Sequence, residues 1–94
     1  MDTFEIILAG SHIGEFANVM AKQYGGVTVT HCEGQWIDDA GQNIKEPSAR
    51  VLVCAPSDRK ECIVLALQVI LMASREECAV LIHNNKGEFV SCQS

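Results

Sequence analysis

Between Gly34 and Ala55 the chain reads GQWIDDAGQNIKEPSARVLVCA, and this stretch limits the possible folds more than any other. Asp38-Asp39-Ala40-Gly41 carries turn chemistry, with Gly41 suited to a positive φ. β-Branched alternation runs toward that turn from Val27-Thr28-Val29-Thr30-His31-Cys32 and restarts at Trp36 and Ile37 after Gly34, where a bulge or bend is expected. The pattern returns from Ile44 to Ala55, with Pro47 confining the first part of this arm to an edge or an irregular segment. A long hairpin with a polar tip follows, and the chain's only Trp stands beside the turn.

The flanks supply the remaining elements. Thr3 to Ala9 reads as a strand ended by Gly10. Ser11 is a candidate N-cap for a helix whose Ile13, Phe16, Ala17, Met20, Ala21 and Tyr24 share one face before Gly25-Gly26. After Pro56-Ser57, Asp58 and Glu61 have capping-box spacing for a second helix, apolar nearly all round from Cys62 to Ala73. Its outer face is expected to be covered mainly by small residues and Cys, with a partner or dimer contact as the alternative. Cys78 to Ile82 and Glu88 to Ser91 read as two short strands around a turn, with Gly87 in a left-handed slot.

This order, β-α-β-β-α-β with an extra C-terminal strand, predicts one α+β domain over residues 1–94. The expected form is a ferredoxin-like sandwich with an antiparallel sheet and both helices on one face. Strand alternation then turns Phe4, Ile6, Leu8, Val27, Val29, Val51 and Val53 toward the helices. Ile7, Thr28, Thr30, Cys32, Leu52 and Cys54 are left on an open face that reads as uncharged, which suggests either a homodimer or partner contact there or coverage by the C-terminal strand or tail.

Composition removes several function classes. The N-terminus has no basic start, and the longest apolar run is far short of a membrane span, so a soluble, cytoplasmic protein is expected. Twelve acidic against seven basic residues give a net charge of -5, unsuited to direct nucleic-acid binding. The central strands offer Phe4 as their one aromatic, too few for an RNA-stacking sheet. Five cysteines without a Cys-x-x-Cys pair read as reduced, with Cys78 and Cys92 as the pair to examine for a bridge across the last hairpin.

No catalytic set assembles in the sequence. Neighbouring strand residues point to opposite faces, so His31 is not expected to activate Cys32. Cys32, Cys54 and His83 are the one group that could converge on a metal, but the spacing argues against it, and no metal or cofactor is expected. Glu46 and Arg50 read as an exposed ion pair on one strand face. Ala9-Gly10-Ser11-His12-Ile13-Gly14 lacks both the dinucleotide fingerprint and the Lys of a phosphate-binding loop.

Gly26-Val27-Thr28-Val29, then Gly34-Gln35-Trp36, Asp38 or Asp39, Gly41 and Glu46-Pro47-Ser48, resembles the central motif of a family of small bacterial domains of unknown function. The resemblance covers about half the chain. It implies a compact α+β domain and brings no activity or catalytic residues with it.

These readings lead first to a non-enzymatic protein-binding module, a regulator or inhibitor of the kind phages and mobile elements direct at host machinery. Its partner-binding residues would be Trp36, Ile37, Asp38, Asp39, Glu46 and Arg50, with Trp36 as the anchor. The alternative is a small enzyme or ligand-binding domain with a pocket between the central hairpin and the second helix. Cys32, Cys54, His31 or Glu46 would supply its polar groups.

Overall fold

A computed structural model describes residues 1–76 and 78–92. Strand β1 (Asp2–Ala9) is followed by helix α1 (Ile13–Tyr24), strands β2 (Val27–Ile37) and β3 (Asn43–Ala55), and helix α2 (Lys60–Ser74) behind a 3-10 turn at Ser57–Arg59. Strands β4 (Cys78–His83) and β5 (Lys86–Ser91) close the chain. All strand pairs are antiparallel, in the order β2-β3-β1-β4-β5. The α+β class is as expected, with β5 added outside β4.

Alternation in the strands and a 3.6-residue period in the helices meet at one core. Phe4, Ile6 and Leu8 of β1 lie beside Ala49, Val51, Val53 and Ala55 of β3, with Ala79, Leu81 and Val90 from the last hairpin. Phe16 and Met20 of α1 cover this face together with Ile63, Leu67, Ile70 and Leu71 of α2. Val27 and Val29 are half-buried at the margin. Each large side chain here withdraws enough apolar surface to contribute about 1.5–3 kcal/mol.

Several local expectations are corrected. Helix α1 begins after His12 rather than at a Ser11 cap, and no side chain caps either helix N-terminus; Ser11 Oγ lies 2.9 Å from His12 Nδ1 instead. The Asp58–Glu61 box does not form, because Ser57–Arg59 turns as 3-10 helix before α2 starts. Gly34 makes no bulge: β2 and β3 pair without interruption from Val27↔Val53 to Ile37↔Asn43. The last hairpin turns on Asn84 and Asn85, both at positive φ (55° and 63°), while Gly87 lies in β5. Two successive left-handed residues suit the right-handed twist of a two-residue hairpin.

That turn sets a register with Cys78 opposite Ser91, so Cys78 and Cys92 point to opposite sides of the sheet. Cys78 is exposed and Cys92 packs against the core, and all five thiols are free. The outer face of α2 also differs from expectation, since Leu65, Val69 and Met72 are all more than 60 % exposed there. No helix among the described residues is long and apolar enough to cross a membrane.

Candidate functional site

The strands end unevenly, and this creates the site. β1 stops pairing at Ala9↔Ser48, while the β2–β3 hairpin continues to Ile37↔Asn43. On its other side β1 pairs with β4 only as far as Ile7↔Val80, although β4 extends to Cys78. A notch therefore opens past the end of β1, between the overhanging hairpin and the residues Arg75, Glu76 and Cys78.

Trp36, Glu46, Arg75, Glu76 and Cys78 line this notch, a cavity of about 440 Å³. That lies within the roughly 300–1,000 Å³ of small-molecule sites. Trp36 and Glu46 project from the same face of the hairpin, as the pairs Trp36↔Ile44 and Gly34↔Glu46 require. Half of the indole surface is exposed, and Glu46 is half-buried.

Two backbone features bring the opposite wall close. Gly10 follows β1 at φ 109°, and a Cβ there would lie 3.0 Å from Glu76 Cγ and 3.2 Å from Ser74 Cβ. Helix α2 ends in a Schellman motif, with the N–H of Glu76 donating to Leu71 O (3.0 Å) and that of Arg75 to Met72 O (3.3 Å). Arg75 is thereby held left-handed at φ 60°, ψ 32°.

The residues expected to bind a partner are dispersed. Trp36 and Glu46 meet at the notch, whereas Ile37 lies on the other face of the hairpin, 64 % exposed. Asp38 organises the tip: its Oδ1 accepts N–H bonds from Ala40 (2.9 Å) and Gln42 (2.8 Å), and Asp39 belongs to the same turn. Gly41 adopts positive φ there, as its position implied.

Arg50 pairs with Glu5 of β1 and not with Glu46. This ion pair sits on the open sheet face, which is therefore not uncharged. Ile7 is half-buried on that face, while Thr28, Thr30, Cys32, Leu52 and Cys54 are exposed as alternation required.

The Cys32, Cys54 and His83 grouping does not form. Cys32 is level with Ser48 and Cys54 with Thr3, six residues apart along β3, or about 20 Å. His83 faces the helices, stacked on Phe4 with centroids 4.2 Å apart and with Nε2 2.7 Å from Asp2 Oδ2. Of the polar groups expected in a pocket between hairpin and second helix, Glu46 alone lines the notch. Arg75, Glu76 and Cys78 were missed; the available signal was charge arriving abruptly at Arg75 after an uncharged run from Cys62.

Tyr24, at the far end of the sheet, has a perturbed proton affinity. Burial pushes its phenol above the ordinary value, the nearby Cys62 adds to the rise, and Arg59 opposes it.

No protein-family model matches the chain, and no curated protein matches its sequence. Solved structures do match its shape. A phage SAM lyase in complex with S-methyl-5′-thioadenosine is similar with a TM-score of 0.68 at 11% identity, over 96% of this chain and 89% of that one. The phage SAM lyase in its apo state gives 0.66 at 11% identity, over 99% and 90%. A Bacillus cereus protein related to NIF3 gives 0.65 at 14% identity, over 94% of this chain but 27% of its own. At these identities the likeness establishes the fold.

The expectation of a non-enzymatic occluding module is corrected at this point. An enzyme of nearly the same length uses this architecture. That fold likeness fits the alternative, a small enzyme or ligand-binding domain, better than the occluding module.

Proposed function

We propose that the chain is a small enzyme that takes S-adenosylmethionine (SAM) in the notch and releases S-methyl-5′-thioadenosine. The observation that carries this reading is the pairing of a half-exposed indole with a half-buried carboxylate, Trp36 with Glu46, on the wall of one cavity. An indole face accepts an adenine ring by stacking. A carboxylate shielded from water attracts the sulfonium charge by up to about 4 kcal/mol at 4 Å in a medium of intermediate dielectric. Fold likeness to a phage SAM lyase adds support at the level of architecture.

The reaction balances without water or an oxidant. The bond between sulfur and the aminobutyrate chain breaks, and its electron pair goes to sulfur, giving the neutral thioether. The chain's own carboxylate oxygen closes on the vacated carbon to form a lactone that keeps the ammonium charge. The protein's part is to hold the chain in the folded conformation that brings oxygen and carbon together.

Purified protein incubated with SAM and analysed by liquid chromatography tests the proposal. Thioadenosine should accumulate, and Trp36→Ala should lower the rate at least tenfold while circular dichroism stays unchanged. Absence of product, together with no calorimetric binding of SAM or of S-methyl-5′-thioadenosine, would overturn it.

A further inference from the structure

The position of Arg75 goes one step beyond the proposed reading of the notch and rests on it. Left-handed backbone costs an L-residue about 1–2 kcal/mol relative to glycine. The other helix shows the easy solution, ending on Gly25 at φ 93°, yet α2 ends on an arginine at φ 60°. A cation is favoured near a helix C-terminus, but a Lys or Arg one turn earlier would satisfy that preference without the unfavourable backbone.

The Schellman hydrogen bonds fix where the side chain leaves the backbone, and Arg75 lines the same cavity as Trp36 and Glu46. Arg50 is engaged with Glu5 and Lys60 with Glu88. Among the described residues no ion pair engages Arg75.

Aromatic face, carboxylate and guanidinium in one cavity match a ligand that carries a flat base, a positive centre and a carboxylate. We propose that Arg75 recognises the α-carboxylate of the methionine portion of the ligand and so makes the notch selective for the intact amino-acid-bearing molecule over the thionucleoside. A guanidinium presents parallel N–H donors that fit a carboxylate in bidentate fashion. The same contact would hold the carboxylate, the group that closes the lactone, in a defined position.

Arg75→Gly is the informative variant, because glycine suits the left-handed backbone and removes misfolding as an explanation. Calorimetry would compare SAM, S-adenosylhomocysteine and S-methyl-5′-thioadenosine. The first two carry the carboxylate and should bind roughly 10- to 100-fold more weakly to the variant, the range expected for losing a charged hydrogen bond. Thioadenosine lacks it and should bind within about twofold of wild type. Unchanged SAM binding, or equal weakening of all three ligands, would overturn the role of Arg75. Failure of all three to bind the wild-type protein would instead remove the reading of the notch on which this role depends.

Discussion

A Cβ placed on Gly34 would lie 2.6 Å from the Oγ of Ser48, so any side chain at position 34 requires the Ser48 hydroxyl to move. Ser48 is buried and donates its hydroxyl to Glu46 O at 3.3 Å, which ties this contact to the residue that lines the notch. Gly34→Ala should cost about 1–3 kcal/mol in denaturant unfolding, in the range of overpacked sites. Adding Ser48→Ala should recover part of that loss, because the remaining Cβ would stand at 3.6 Å. An additive double mutant would show that the approach of the two residues is not the cause.

Leu67 is fully buried on the inner face of α2, among β-strand and α1 side chains. Leu67→Ala should therefore lower stability by about 2–5 kcal/mol, through lost burial and the cavity left behind. Leu65→Ala on the exposed face of the same helix should change it by less than about 1 kcal/mol, since that side chain is already 62 % exposed. Equal losses in urea titrations would mean that the outward face is covered in solution.

Alkaline pH should act through Tyr24. Its folded-state pKa is raised by burial above the ordinary 10.0, so the neutral phenol is favoured in the folded chain. The resulting stability is complete below pH 10 and is lost as pH rises through the folded value. Thermal unfolding followed from pH 8 upward should show midpoints that fall in that alkaline range, with a shallower fall in Tyr24→Phe. A variant with the same slope would assign the effect to other groups.

Thiol reactivity should follow the exposure of each cysteine. Cys32, Cys54, Cys62 and Cys78 are exposed, and Cys92 is partly buried against the core. A thiol reagent should modify four groups promptly and the fifth slowly until denaturant is added. Mass spectrometry under non-reducing conditions should find no Cys78–Cys92 bridge.

How far the sequence could be read depended on the range of the interaction involved. Helices, strands and the Asp38–Gly41 turn were legible because their signals are local: periodicity in Phe16 and Met20, alternation in Val51 and Val53, and turn residues at fixed offsets. The last hairpin was placed well and registered badly. Assigning the left-handed slot to Gly87 rather than to Asn84-Asn85 left Cys92 nearly opposite Cys78, where a one-residue difference reverses its face.

The ion pair of Arg50 was legible in kind but not in partner. Glu46 is near it in sequence, while Glu5 becomes adjacent only through the β1–β3 pairing. The notch was harder still. Trp36 and Glu46 could be singled out from the hairpin alone, but Arg75, Glu76 and Cys78 join them only because β1 ends before both of its neighbours. That is a relation between three strands that no window of sequence contains.

The position of β1 also governs how the molecule is assembled. β2–β3 and β4–β5 are hairpins between sequence neighbours, but β1 joins them through partners about fifty and eighty residues away. Such closures are slow relative to hairpin formation. The cavity has one wall on the β2–β3 hairpin and the other on Arg75, Glu76 and Cys78, so neither hairpin carries it alone. The notch is thus a property of the finished sheet, formed when β1 takes its place between the other two pairs.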